Sequence, residues 1–141
     1  MAGINYGRVA LGALAGGVVG NIVDFVVNTV VLSDDLTRLA QRLNLNLSVL
    51  NSTSVALTWV VVNFVYAFLL VWTYAAIRPR FGPGSGTAVK AGVVLWAAVT
   101  VVVYGFSSMG IFTPDTFYKS SAFALVSTLL AALAGGYVYK E

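Results

Sequence analysis

The sequence contains no cysteine and no histidine, and only 9% of its 141 residues are charged. Without these two residue types the chain cannot form disulfides, thiolate clusters or the histidine-ligated zinc, copper and haem sites of many enzymes. A soluble domain carries about 25% charged residues, so this chain cannot cover a water-facing surface. We therefore expect no metal site and no cofactor, whereas a bound lipid is compatible with this composition.

Charge of either sign is scarce and scattered along the chain. The formal net charge is +3, and no cluster of lysine and arginine forms the basic patch that nucleic-acid binding requires. An intramembrane enzyme would need a nucleophile beside a base, or a set of metal ligands, and one isolated carboxylate does not supply either. We predict a protein that is not an enzyme and that does not bind nucleic acid.

Apolar residues are abundant and make up 59% of the chain. They form four runs, each long enough to cross the ~30 Å hydrocarbon core of a bilayer as an α-helix. The fold class predicted is an all-α integral membrane protein, a single four-helix transmembrane domain over residues 1–141. The four predicted spans are residues 6–32, 54–77, 87–106 and 114–139.

The stretch between the first two runs, residues 34–50, is too short and too polar to be a fifth span. Leu36, Leu39 and Leu43 recur at three- and four-residue steps, and two arginines lie between them. This spacing is typical of an amphipathic helix that lies on a membrane surface. We predict a short amphipathic interfacial helix at residues 34–50.

Basic residues in short loops predict the orientation of a membrane protein, because they are retained on the cytoplasmic side. With the N-terminus inside, three basic residues lie outside, and the other five lie in the cytoplasm: Arg8, Arg78, Arg80, Lys90 and Lys140. We therefore predict that both termini face the cytoplasm, in a bacterial inner membrane.

The first apolar run carries Asp24, an ionisable side chain that has to lie inside the membrane. At 100° per residue, Asn21, Asp24 and Asn28 fall on one strip of the helix. A carboxylate that faces lipid costs roughly 2.5 kcal/mol or more at the helix centre, so the strip is expected to face protein or water. In the second run, Asn63 is the best candidate to meet Asp24, with the Tyr66 hydroxyl as a second donor.

Two interpretations of Asp24 remain open. It can be a proton or cation site in a transport pathway, as ionisable residues inside membranes often are. It can equally be a carboxyl group that hydrogen-bonds to neighbouring amides and sets the packing register. The second interpretation is favoured, because a lone carboxylate without an obvious relay partner makes an incomplete pathway.

Small residues at four-residue spacing predict where two helices pack closely. Gly12, Gly16 and Gly20 form one strip on the first helix, while Gly135 and Gly136 end two strips of small residues on the fourth. Such strips allow two backbones to approach each other, which is a main source of helix association in lipid. We expect these five glycines at helix–helix contacts.

These features together favour an accessory or structural subunit of a larger membrane complex. Its partners would be membrane lipids and either other membrane subunits or a second copy of the chain. The alternative is a small homo-oligomeric transporter or channel that uses Asp24. The signature motifs of two four-helix transporter families, the small multidrug-resistance transporters and the fluoride channels, do not occur in this chain.

Overall fold

A computed structural model describes residues 3–140, so Met1, Ala2 and Glu141 lie outside the described part. Within it, all regular secondary structure is helical and no strand is present. Four of the helices are long and apolar enough to cross a membrane, which confirms the all-α membrane fold class. The elements are α1 (Tyr6–Val26), a π-helical continuation (Val27–Val31), α2 (Ser33–Arg42), α3 (Leu47–Leu50), α4 (Thr53–Phe81), α5 (Ser85–Ser108) and α6 (Pro114–Val138).

Helix ends follow local capping signals in the sequence. The Asn5 side chain accepts a hydrogen bond from the Arg8 amide at 3.1 Å, and the Thr113 hydroxyl accepts one from the Thr116 amide at 3.2 Å. Each of these caps satisfies a backbone donor that the first turn of a helix leaves unpaired. Pro114 occupies the first turn of α6, where its missing N–H removes no helical bond.

The second span is longer than predicted, since α4 continues past Ile77 to Phe81. Pro79 lies in the last turn, where the loss of one backbone donor removes one helical hydrogen bond and does not break a long helix. Gly82 ends the helix with a φ of 79°, in the left-handed region that favours glycine. The connection to α5 is consequently only three residues long, residues 82–84.

The predicted amphipathic helix over residues 34–50 is not confirmed as one helix. It consists of α2 and the single turn α3, separated by a break in which Asn44 has a φ of 51°. Asparagine adopts this left-handed conformation more readily than most residues, so the chain turns there. The Asn46 side chain then accepts from the Ser48 amide at 3.0 Å and begins α3.

The extensive helix contacts are those of α1 with α6, α1 with α4, and α5 with α6, and α4 makes smaller contacts with α5 and α6. Successive spans are antiparallel, since Gly12 of α1 lies beside Val71 of α4 and Gly17 lies beside Phe64, and the connection of α4 to α5 is only three residues long. The beginnings of α1 and α5 therefore lie at the same end of the bundle as the ends of α4 and α6. Most of the buried residues occur in this half, which we call the closed half (residues 6–20, 67–81, 85–92 and 127–138).

The remaining part of the bundle, residues 21–31, 53–66, 93–108 and 114–126, is the open half. Within these ranges only Thr116 and Phe117 are buried. Large apolar side chains point outward, and Val30, Trp59 and Val101 are 75%, 63% and 70% exposed. In a membrane-spanning bundle such side chains are covered by lipid or by another protein, because water cannot solvate them favourably.

Backbone contact at glycine holds the closed half together. A Cβ atom added at Gly12 would lie 2.8 Å from the Gly135 carbonyl oxygen, and one at Gly16 would lie 2.8 Å from that of Ala131. Gly136 faces the Ala88 methyl group, with 3.0 Å between the added Cβ and that atom, while Gly20 has only an ordinary contact. Helices α1 and α6 therefore approach each other so closely that any residue larger than glycine at position 12 or 16 would clash with the backbone of α6.

Candidate functional site

Asn63 on α4 joins two polar side chains of α1. Its Nδ2 atom donates to Asp24 Oδ2 at 3.0 Å and to Asn21 Oδ1 at 3.2 Å. A primary amide has two N–H donors, so one asparagine can serve both acceptors at once. The structure thus brings together three of the five side chains that the sequence suggested for the polar site. We call Asn21, Asp24 and Asn63 the amide–carboxyl cluster.

The side-chain amides of Asn21 and Asn28 each donate one hydrogen bond to a backbone carbonyl of the first membrane-spanning helix. Asn21 Nδ2 donates to the Gly17 carbonyl at 2.8 Å, and Asn28 Nδ2 donates to the backbone carbonyl of Asp24 at 2.8 Å. Asn21 is half-buried against α4, whereas Asn28 is exposed on the outer surface of the open half. Asn28 therefore lies on the predicted strip but does not join the cluster across to α4.

The Tyr66 hydroxyl, which we expected to be a second donor to Asp24, pairs instead with Thr128 Oγ1 on α6 at 3.3 Å. Tyr66 lies about one helical turn further along α4 than Asn63, so it reaches the next layer of the bundle, where α6 is closer. Sequence reasoning did not identify Thr128 as a partner. The sequence gives one indication of this role, because Thr128 carries a hydroxyl group between Ala124 and Ala132 on a strip of small residues.

The turn after Asp24 is π-helical and covers Val27–Val31, with the Leu32 amide donating to the Val27 carbonyl. The Asn28 side-chain amide donates to the Asp24 backbone carbonyl, and the Thr29 hydroxyl donates to the Phe25 carbonyl at 2.6 Å. Bonds of this kind bend a helix slightly, but Thr58 and Thr73 make the same bond to the carbonyl four residues earlier within regular α-helix. The π-helical turn thus lies directly after the Asp24 side of the cluster, and these bonds alone do not explain it.

Asp24 lies on the side of the bundle and is only half-buried. Asn63 donates to Oδ2, and within residues 3–140 no side chain or backbone donor reaches Oδ1. Nor does any lysine or arginine in the described part form an ion pair with this carboxyl group. One carboxyl oxygen is therefore open to the surroundings at a depth where the surroundings are lipid or a partner.

A second polar group lies at the outer end of the open half, between α2 and the start of α6. Lys119 Nζ lies 2.7 Å from Asp115 Oδ2 and 3.5 Å from Asp35 Oδ2. The Arg42 guanidinium donates to the backbone carbonyls of Gly110 and Ile111. We call these bonds the polar clasp, because they tie α2 to the turn before α6 and to α6 itself.

The clasp borders a small cavity of about 110 Å³, which also has Arg38 and Thr113 in its wall. The predicted topology puts residues 34–50 and 107–116 on the same face of the membrane, but two membrane-spanning helices separate these segments in the sequence, so the individual contacts between them could not be predicted. The only available signal was the opposite charge of residues in these two segments.

Metal binding needs several ligands that converge on one point. In the described part of the chain no three histidine, cysteine, aspartate or glutamate residues lie close enough together to hold an ion. Asp24 has amides as its neighbours. What the cluster can do chemically is accept further hydrogen bonds or exchange a proton at the open carboxyl oxygen.

Comparison of the chain with protein-family models, with curated proteins and with solved structures finds no match. The amide–carboxyl cluster and its position on the bundle are consequently the basis on which a function can be proposed.

Proposed function

We propose that the chain is an accessory, structural subunit of a larger membrane complex, and that it docks through the polar strip of α1. The observation that carries this proposal is the position of Asp24, half-buried on the side of the open half with Oδ1 open to the surroundings. A polar residue in that position is stable when a partner helix covers it and supplies a donor.

The polar strip of α1 is costly to leave in lipid. An aspartate that faces hydrocarbon near the helix centre costs roughly 2.5 kcal/mol or more, and Asn63 compensates only one of its two oxygens. A partner helix with a serine, threonine, asparagine or glutamine at this depth would donate to the other oxygen. The exposed Asn28 amide, one turn along the same strip, extends the surface available to that partner.

Helix α1 is suited to this role, because its two sides make different contacts. Its glycine strip packs against the backbone of α6 and anchors the helix within the chain's own bundle. Ile22, Phe25 and Val26, which flank Asp24, are at least half exposed. Such a surface combines apolar contact area with one polar anchor, as helix interfaces inside membranes do.

The connection between α1 and α4 extends the proposal to the membrane surface. Leu32 and Ala40 are buried against the bundle, whereas the following apolar side chains are 38–55% exposed: Leu43, Leu45, Leu47, Val49 and Leu50. Both ends of this connection join membrane-spanning helices. We place these leucines and the valine in the interfacial layer of the bilayer, on the outer side of a membrane in which both termini are cytoplasmic.

One observation favours the alternative, a small homo-oligomeric transporter or channel. Polar groups continue inward from Asp24 and Asn63 to the pair Tyr66–Thr128, between α1, α4 and α6. This polar track ends at the closed half, where Leu70 and Val71 are almost fully buried. A transport cycle would have to separate these apolar contacts, whereas docking requires no such opening.

The experiment that separates the two functions begins with gentle extraction from the native membrane. Native mass spectrometry of the tagged protein then identifies what remains bound to it. We expect a stoichiometric complex with other membrane subunits, which Asp24→Leu disrupts and the nearly isosteric Asp24→Asn largely preserves, because an amide can still exchange hydrogen bonds with a partner. Thr58→Leu is a matched control, since Thr58 is exposed in the same half of the bundle and its hydroxyl bonds only to the Ser54 carbonyl within α4.

A monomer or homo-oligomer would contradict the accessory role. If Asp24→Asn then abolished flux in reconstituted vesicles without a loss of assembly, the transport alternative would replace it. Intact complexes with both Asp24 variants would show that the docking surface lies elsewhere.

A further inference from the structure

Charge is distributed unequally between the two ends of the bundle. The end formed by the closed half carries five basic residues, whereas the described acidic residues other than Asp24 all lie at the opposite end, where three basic residues balance them. The five basic residues are Arg8, Arg78, Arg80, Lys90 and Lys140. A negatively charged molecule at a bilayer surface is therefore attracted to the closed end.

A groove of about 520 Å³ lies at this end, where α4 and α6 finish and α5 begins. Arg78, Lys140 and the Ser85 hydroxyl line its polar side, and Tyr74, Ala88 and Leu133 line its apolar side. One groove thus changes from cationic to apolar along the direction in which the helices enter the membrane. A phospholipid changes from phosphate to acyl chain in the same direction.

Contacts among its own walls shape the groove. The Gly84 amide donates to the Tyr74 hydroxyl at 3.2 Å, which fixes the turn between α4 and α5 against the ring. The Tyr74 ring contacts that of Tyr139 edge to face, with 5.9 Å between centroids, and the Arg78 guanidinium lies over Tyr139 at 5.7 Å. Such contacts limit side-chain movement, so a ligand meets a largely formed surface.

The position of the groove matches the boundary between lipid and water. Tyr137 is 78% exposed at its edge, and the Lys140 ammonium lies 5.4 Å from the centre of the Tyr137 ring. An exposed tyrosine beside a lysine at the end of a spanning helix is typical of the headgroup region, where the ring contacts the boundary and the ammonium contacts phosphate or water.

We infer that this groove binds a phospholipid with a net negative headgroup. The phosphate lies between Arg78 and Lys140, within reach of the Ser85 hydroxyl, and an acyl chain lies along Leu133. This inference is independent of the proposed docking through Asp24, which lies in the other half of the bundle. The site would account for two of the five basic residues at the closed end, Arg78 and Lys140, which line the groove.

The test uses the whole protein, purified in a mild detergent and stripped of lipid. It is titrated with phosphatidylglycerol or with phosphatidylcholine of the same acyl chains, and native mass spectrometry counts the bound lipids. We expect phosphatidylglycerol to bind more tightly than phosphatidylcholine. Lys140→Gln is expected to weaken phosphatidylglycerol binding about fivefold, the effect of one cation near a phosphate surface.

Arg80→Gln is the matched control, because it removes the same charge at the same end from a residue outside the groove. It should leave phosphatidylglycerol binding unchanged, whereas Arg78→Gln should weaken it at least as much as Lys140→Gln. Lys140 is exposed, so its variant remains folded even if the Arg78 variant does not. Inorganic phosphate should not displace the lipid, because it lacks the acyl chain.

Three results would overturn the inference. Equal binding of the two lipids would show that the headgroup charge is not recognised. An equal loss in the Lys140 and Arg80 variants would show that the protein attracts anionic lipid by its overall charge only. Displacement by inorganic phosphate would identify a phosphate site in place of a lipid site.

Discussion

The closed half and the open half contain the same four helices, yet backbone contact holds the first together and side-chain hydrogen bonds hold the second. In the closed half, Gly12 and Gly16 lie against carbonyl groups of α6. In the open half, Asn63 spans the gap between α4 and α1 with bonds to Asn21 and Asp24. The comparison shows two different solutions for joining helices where lipid removes the usual hydrophobic driving force.

The boundary between the halves lies at Gly17 and Phe64. A Cβ atom added at Gly17 would lie 2.3 Å from the Phe64 ring, so α4 meets α1 through an aromatic ring at this level. A ring separates two helices more than a glycine contact does, and beyond it the helices leave room for amide and carboxyl side chains. The polar cluster therefore lies where packing against glycine stops.

The largest effect is expected from Gly12→Ala in the closed half. The new methyl group would meet the Gly135 carbonyl oxygen at 2.8 Å and a Val71 methyl group at 2.9 Å, so backbone has to move. We expect a loss of about 1–3 kcal/mol in the free energy of unfolding, measured by denaturation in detergent. Gly105→Ala is the control, because nothing lies within 4 Å of its added Cβ, and it should cause no loss. Equal stability of both variants would refute close packing at Gly12.

A smaller effect is expected from Asn63→Leu in the open half. The substitution removes both bonds to α1, and hydrogen bonds between helices in membranes contribute about 0.6 kcal/mol each on average. We therefore expect a loss of about 1 kcal/mol in unfolding free energy. Thr58→Val, which removes an exposed hydroxyl bonded only within α4, should cause almost none. A larger loss than that of Gly12→Ala would reverse the comparison between the halves.

The smallest effect on stability is expected from Arg42→Ala in the polar clasp. Arg42 is exposed, and its bonds to the carbonyls of Gly110 and Ile111 connect surface segments only. We expect little change in global unfolding but faster amide hydrogen exchange in α2, measured by mass spectrometry, because local opening needs only these surface contacts to break. Exchange in α4 should stay unchanged, and faster exchange throughout the protein would show that the clasp supports the whole open half.

Much of the fold could be predicted because the relevant signals are local. Apolar runs of sufficient length identify the four spans, and capping residues such as Asn5 and Thr113 mark helix starts. The end of α4 was less predictable. Pro79 and the glycines after it indicated an early break, but a proline in the last turn removes only one helical bond.

Four apolar membrane-spanning helices, a carboxyl group within the first of them, and glycine strips on α1 and α6 can all be identified without the structure. These properties depend on hydropathy, length and helical spacing, which need no knowledge of neighbouring helices. Tertiary structure alone decided that Asn63 serves Asn21 and Asp24 together, that Tyr66 pairs with Thr128, and that a cationic groove forms at one end. These contacts depend on the rotational orientation and the tilt of each helix, which are set by packing between distant parts of the chain.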